Sequence, residues 1–310
     1  MKVPGARRVK VRVPATTANL GAGCDCLGLA LSLYNTVSVE IAGSGLAITV
    51  SGEGEDAVPR DRSNLVWQAM ERLWVEAGFP VPAGVRIALK NRIPPGAGLG
   101  SSAAAIIGGL VAADAVAGGI MVREDLLALA TAIEGHPDNV APALLGGAVV
   151  AVAEEGGQVV GLKFPVAPEL RAVVAVPDYR VATAQAREIL PPAYPREDAL
   201  YNVGRAALLA GALASGRYDL LRFGMQDRLY QPYRALLVAG LKEVLAAAVD
   251  AGAAGAALSG AGPAVVALAT QETGRIGTAM IEAFSAAGVR ARVLTLVPDN
   301  DGALVGGFPD

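Results

Sequence analysis

Ile93-Pro94-Pro95-Gly96-Ala97-Gly98-Leu99-Gly100-Ser101-Ser102-Ala103-Ala104 reads as a strand exit, a glycine-rich turn and the start of a helix. Val85 to Asn91 ahead of it alternates as a strand does, the Pro94-Pro95 pair excludes helix, and two hydroxyl residues open the run of small residues that follows. Glycines at alternate positions let the backbone turn its N–H groups inward. The helix beginning near Ser101 then adds unpaired amides and the positive end of its dipole. The stretch is therefore a candidate phosphate cradle. It is not a Walker loop, because no Lys follows the last glycine. It is not a dinucleotide fingerprint either, because Ala103 stands at the third glycine position and Asp114 comes too early to be the ribose acid. That second mismatch argues against an NAD-dependent oxidoreductase.

Outward from this loop the pattern alternates. Strands are expected at Val9–Val13, Thr36–Ile41, Leu46–Val50, Val85–Asn91 and Ala148–Ala153. Between them, Asn64–Ala77 is an amphipathic helix with Ser63 as its expected N-cap, Ser102–Ala117 is apolar nearly all round and so buried on every side, and Arg123–Glu134 ends at Gly135. Glu154-Glu155-Gly156-Gly157-Gln158 is polar and glycine-rich, which places a domain boundary there and divides the chain into 1–158 and 159–310. The second half offers strands at Arg171–Val176, Ala254–Leu258, Ala264–Ala269 and Arg290–Val297. Its helical stretches are Asp198–Ser215, Tyr218–Gln226, Arg234–Ala251 and Gly274–Ala287. The class is α+β, without internal repeats.

Composition narrows the partners. At 310 residues with 53% hydrophobic side chains the chain can bury a substantial core, and a net charge of −3 with scattered Lys and Arg gives no basic stripe for nucleic acid. Two nearly uncharged stretches, Ser101–Val122 and Ala251–Gln271, are not membrane spans: Asp114 interrupts the first, and Ser259-Gly260-Ala261-Gly262-Pro263 reads as a loop between two strands in the second. Met1–Arg12 alternates Val with Arg and Lys and has no signal-peptide core, so a cytoplasmic location is expected. Cys24 and Cys26 are too close for an unstrained disulfide and lack further ligands for zinc, which leaves them as small buried side chains.

Three blocks carry a resemblance: Pro14-Ala15-Thr16-Thr17-Ala18-Asn19-Leu20-Gly21, the loop from Gly96 to Ala104, and Leu258-Ser259-Gly260-Ala261-Gly262-Pro263. In order and spacing they resemble the GHMP family of small-molecule kinases over most of the chain. Glu134-Gly135-His136-Pro137-Asp138-Asn139-Val140-Ala141-Pro142 and Thr183-x3-Arg187-Glu188-Ile189-Leu190-Pro191 resemble the branch of that family that phosphorylates the side-chain hydroxyl of L-homoserine, a step of threonine biosynthesis. One departure is Gly23-Cys24-Asp25, where the family usually has phenylalanine at the middle position. The resemblance implies a two-domain GHMP kinase fold, with an N-terminal domain similar to ribosomal protein S5 domain 2, a left-handed crossover within it, and a C-terminal ferredoxin-like domain. The active site would lie between the two.

It also implies roles. Pro94, Pro95, Gly96, Ala97, Gly98, Leu99, Gly100, Ser101, Ser102 and Ala103, with Asn64 and Leu65 at the purine, would bind ATP as co-substrate, and Ser102 and Glu134 would hold Mg²⁺. Asp25 and Asp138 would take the homoserine ammonium, and Arg187 and Arg234 its carboxylate, with Thr183 one turn before Arg187. Asn19, His136 and Asn139 would surround the hydroxyl, which makes Asn139, Asp138, His136 and Asn19 the catalytic candidates. The residues themselves leave alternatives open. Ser101 and Ser102 also suit helix capping, Arg187 could pair with Glu188 or Asp198 on the surface, and His136 suits a hydrogen-bonded structural role. Lys90 and Arg92 could supply phosphate charge or face solvent. For Glu134 the carboxylate opposes its own helix dipole, a placement that a cation would compensate. No general base declares itself, so transfer by positioning is expected, with the proton passing to phosphate or solvent. The competing readings are a GHMP kinase for another alcohol, such as mevalonate, and a catalytically silent nucleotide-binding relative. The partners implied are small molecules, with no nucleic acid or membrane, and a homodimer is open.

Overall fold

The computed structural model describes residues 7–308, so the first six residues of the Met1–Arg12 reading lie outside the described residues. Eleven strands and ten α-helices are described. The first half contains β1 (Arg8–Asn19), β2 (Gly23–Ile41), β3 (Gly45–Gly52), α1 (Leu65–Glu76), β4 (Gly84–Asn91), α2 (Ser101–Ala117), α3 (Arg123–Glu134), α4 (Pro137–Leu145), β5 (Ala148–Ala153) and β6 (Val159–Phe164). There follow β7 (Arg171–Pro177), α5 (Thr183–Glu188), α6 (Arg196–Ser215), α7 (Leu221–Gly224), α8 (Gln231–Arg234), α9 (Leu241–Asp250), β8 (Gly255–Leu258), β9 (Val265–Ala269), α10 (Thr273–Ala286), β10 (Ala291–Leu296) and β11 (Leu304–Val305).

Seven strands form the first sheet, in the order β11-β1-β2-β4-β3, with β5 joined to β2 and β6 to β5. β2 is long enough to change partners: its N-terminal part pairs Leu27 with Val150 of β5, and its C-terminal part pairs Thr36 with Lys90 of β4. The β3–β4 pair is parallel, and α1 crosses between them. Apolar side chains alternate inward on β1 at Val9, Val11 and Val13. Beyond a register shift at Pro14/Ala15 the strand is buried on both faces, which is why 14–19 shows no alternation in sequence. The apolar helix expected after the loop is α2, packed among α1, α3, α4, β1 and β2, with Ile106, Ile107 and Leu110 fully enclosed. The cap of α1 is Asn64 rather than Ser63: the Asn64 side chain accepts from the Val66 N–H, while the Ser63 hydroxyl donates to Asp61.

β5 and β6 form an antiparallel hairpin through 154–158, so the first sheet runs on to Phe164, and β11 returns to it from the far end of the chain. The second sheet is antiparallel in the order β10-β7-β9-β8, the ferredoxin-like arrangement. Val173, Ala175, Val265 and Ala267 pack under α9 and α10. Ala172, Val174, Val266 and Leu268 on the opposite face join the main core. The uncharged stretch 251–271 is β8, a loop and β9, and no helix of the described residues is long and apolar enough to cross a membrane. Helix is less continuous than expected at 218–226 and 234–251: 3₁₀ turns at Tyr218–Leu220 and Ala235–Leu237 interrupt it, and α9 starts after Gly240.

Candidate active site

The two sheets meet at a cleft of about 500 Å³. Its floor is the glycine loop, and the alternation of that loop has a physical cause. Ala97 and Leu99 point into the core, while Gly96, Gly98 and Gly100 face the cleft with φ of 68°, 81° and 68°. A Cβ on Gly98 would run into the Ser259 carbonyl, and one on Gly100 into Thr16 Oγ1. Main-chain carbonyls tie the loop outward: Leu99 O accepts from Thr16 N–H, Ala97 O from Ala264 N–H and Gly96 O from Val181 N–H. The amides of Gly98, Gly100, Ser101 and Ser102, residues that line the cleft, meet no acceptor among the described residues. Of the loop residues expected to bind nucleotide, Pro94, Ala97, Leu99 and Ala103 do not line the cleft: they are buried beneath it as packing.

Neither serine caps α2, whose N-cap is Gly100. Ser101 Oγ reaches toward Ile93 O, and Ser102 Oγ donates to Glu134 Oε1 at 2.6 Å. Burial raises the Glu134 pKa against the opposing Ser102 hydrogen bond, as a carboxylate short of water would require. A hydroxyl and a partly desolvated carboxylate brought this close fit a small hard cation that takes one protein carboxylate and completes its shell with phosphate and water.

Gly135 at φ 92° ends α3, and His136, Pro137 and Asp138 open α4. His136 Nδ1 lies 2.5 Å from Asp138 Oδ1, and Asn139 Nδ2 donates to the same oxygen. Burial lowers the His136 pKa, but the Asp138 hydrogen bond and charge, with Glu134 adding to them, outweigh it and leave the pKa raised. The protonated ring is the favoured partner of an Asp138 that is only 2% exposed. Thr16 Oγ1 donates to Asn139 Oδ1 at 2.7 Å, which fixes the amide orientation and ties α4 to β1.

At the other end, Asn19 and Asp25 take left-handed backbones with φ of 66° and 55°, a conformation costly for non-glycine residues and concentrated at functional sites. Asn19 Oδ1 accepts from the Asp25 N–H, and its amide donates to Gly260 O. Arg187 pairs with Asp25 at 3.1 Å, not with Glu188 or with Asp198, which is held by Arg228. Arg234 is 3% exposed and donates to Gly260 O and Ala186 O. Thr183 opens α5 on the cleft wall, four residues before Arg187.

The apolar end is formed by Leu65, 40% exposed, with Val37, Val58 and Leu89. Asn64 also lines it, but the side chain is 1% exposed, caps α1 and donates to Pro59 O, so its amide is already engaged. Lys90 and Arg92 are exposed and do not line the cleft; the cation on that wall is Arg180, beside Gly96. Sequence reasoning gave no role to Arg180, Thr16 or Tyr230, whose hydroxyl donates to Asp25 Oδ2. Thr16 lies inside the Pro14–Gly21 block, whose pattern does not single it out, whereas Arg180 and Tyr230 carry no local pattern. Cys24 and Cys26 are free thiols and only half-buried, less enclosed than the sequence reading expects, and burial raises the pKa of both.

Comparison with known proteins shows what the whole chain is similar to. Residues 64–147 match the model described as GHMP kinases N terminal domain, and residues 209–287 match GHMP kinases C terminal. The homoserine kinase of Desulfitobacterium hafniense is 48% identical over 298 residues, covering 96% of this chain and 99% of that protein. The crystal structure of homoserine kinase from Cytophaga hutchinsonii superposes with a TM-score of 0.87 at 33% identity, covering 97% of this chain and 98% of that one. Mevalonate kinase from L. major, solved with R-mevalonate, shares the fold at a TM-score of 0.70 and 17% identity, covering 96% and 99%.

Proposed function

This chain belongs to the GHMP kinase family, and from that premise we propose how its residues carry out the reaction of a homoserine kinase: transfer of the ATP γ-phosphoryl group to the side-chain hydroxyl of L-homoserine, giving O-phospho-L-homoserine for threonine biosynthesis. The observation that carries the substrate reading is the Asp25–Arg187 pair, with buried Arg234 nearby, at one end of the cleft floored by the glycine loop. A zwitterion replaces that internal pair with two external ones: its ammonium meets Asp25, with Asp138 lining the same cleft, and its carboxylate takes a planar grip from Arg187 and Arg234. Mevalonate and sugars have a carboxylate or hydroxyls but no ammonium, and would leave Asp25 facing its own cation. A silent relative would have no use for the Ser102–Glu134 contact.

ATP lies with its β- and γ-phosphates against the free amides of Gly98, Gly100, Ser101 and Ser102 and the N-terminus of α2, with Arg180 as a counter-charge and the purine against Leu65. Ser102 and Glu134 would hold Mg²⁺, which when bound would neutralise phosphate charge. Asn19, His136 and Asn139 set the direction of the acceptor hydroxyl. Asp138 Oδ1 is already engaged by the His136 ring and the Asn139 amide, which holds the carboxylate in place as a partner for the ammonium. The hydroxyl proton leaves to phosphate or solvent, with in-line positioning lowering the barrier. The enzyme works in the cytoplasm on free small molecules. A panel of homoserine, mevalonate, galactose and shikimate, each with and without Mg²⁺, tests this: ADP release is expected with homoserine and Mg²⁺ only, and equal release with mevalonate would sink the reading.

A further inference from the structure

Tyr230 stands between the two charged poles of the amino-acid site and touches both. Its hydroxyl donates to Asp25 Oδ2 at 2.7 Å, and its ring lies under the Arg234 guanidinium, 4.5 Å from centroid to Cζ. The residue is itself fixed from behind. Asp227 accepts the N–H groups of Leu229, Tyr230 and Gln231, Asn202 donates to Asp227 Oδ1, and the Tyr230 carbonyl accepts the Arg234 N–H. We propose that Tyr230 is a positioning residue for the amino-acid substrate, holding the ammonium-binding carboxylate and the carboxylate-binding guanidinium at a fixed separation. This rests on the homoserine reading above.

The chemistry of the phenol explains the choice. Asp25 loses Arg187 as a partner when a zwitterion enters, and a carboxylate on a left-handed turn, one-third exposed, would then be free to rotate. A second cation would hold it but would compete with the ammonium. A neutral O–H fixes Oδ2 and leaves the full negative charge for the ligand, which would take Oδ1 in place of Arg187 Nη2. Burial and the Asp25 charge both raise the Tyr230 pKa, so the group stays a donor throughout the working range. The ring also holds the Arg234 guanidinium over it by a cation–π contact.

Tyr230→Phe removes the hydroxyl and keeps the ring, and Tyr230→Leu removes both. A hydrogen bond to an ionised carboxylate of this kind corresponds to about tenfold in affinity. The expected result is a homoserine KM raised about tenfold in Tyr230→Phe with kcat lowered less than threefold and the ATP KM unmoved, and a further rise in Tyr230→Leu. Inhibition by 4-hydroxybutyrate, which lacks the ammonium, separates positioning from general damage: its Ki is expected to stay within twofold in Tyr230→Phe and to rise in Tyr230→Leu, where the guanidinium loses its support. Equal losses for homoserine and 4-hydroxybutyrate in Tyr230→Phe, a parallel rise in the ATP KM, or an unchanged homoserine KM would each overturn the proposal. The wild-type enzyme in the same assay tests the substrate reading separately, since absent turnover of homoserine there would refute that reading and not the geometry of Tyr230.

Discussion

Glu134 carries its charge at the C-terminal end of α3, where the helix dipole is negative, and burial raises its pKa further. Both effects disfavour the ionised side chain in the protein alone, so Glu134→Gln is expected to stabilise the unliganded enzyme by about 1 kcal/mol near neutral pH, while Mg²⁺-dependent turnover is largely lost. The pH dependence has a definite sign. With the folded pKa above the unfolded one, the penalty is absent below the ordinary carboxylate value, grows as pH rises past it, and is complete above the raised folded value. Thermal midpoints of the two proteins should therefore converge in acid and separate toward neutrality, and a variant less stable at all pH values would contradict the assignment. This pairing was partly legible in sequence, because a carboxylate at the wrong end of a helix is visible in a one-dimensional pattern. The ion pair of Arg187 with Asp25 was not. The partners are 162 positions apart, and sequence alone offered Glu188 and Asp198 as equally reasonable neighbours.

Among the elements, the glycine loop and α6 contain glycines of opposite meaning. Gly98 has φ 81° and the Ser259 carbonyl where a Cβ would stand, whereas Gly204, inside α6 and exposed, has open space around it. Gly98→Ala is expected to cost more than about 2 kcal/mol through backbone strain and displacement of Ser259, and to abolish ATP binding. Gly204→Ala should stabilise by about 0.5–1 kcal/mol through helix propensity, with turnover unchanged. Chemical denaturation and nucleotide titration of both proteins check this, and a neutral Gly98→Ala would mean that the loop does not need its left-handed turn. Element existence was readable where a period was clean, as in α1, α3, β4 and β7. It was not readable in α4, which begins Pro-Asp-Asn and carries Pro142, or in residues 14–35, which are buried on both faces over much of their length and so lose the alternation that identifies a strand. The hairpin β5–β6 illustrates the same limit: a polar Gly-Gly turn has one composition whether it joins two strands of a sheet or two domains.

At the scale of the molecule, the two halves are joined at the candidate site. Gly260 N–H donates to Ala18 O and Ala264 N–H to Ala97 O. Ser259 Oγ donates to Gly98 O at 2.6 Å and lies 2.9 Å from Thr17 Oγ1, and Arg292 pairs with Glu53 across the same seam. The main hydrophobic core also runs through the seam, taking Val174, Val266 and Leu268 from the second sheet together with Leu27, Leu99 and Leu144 from the first half. Domains joined by a polar interface of modest size commonly unfold separately. Here the face that the second sheet would expose on separation is fully buried and apolar, so separate melting would lose stabilisation on both sides at once. The expected outcome is one calorimetric transition, with its calorimetric and van't Hoff enthalpies in agreement. Ser259→Ala should destabilise the chain by about 1–3 kcal/mol, because the part-buried Gly98 carbonyl loses its partner, while leaving the transition single. Two resolved transitions in the wild-type protein would show that the cleft is a contact between independent domains. A shared core predicts instead that ATP, by binding to the loop to which both halves are tied, raises the melting temperature of the entire chain as one unit.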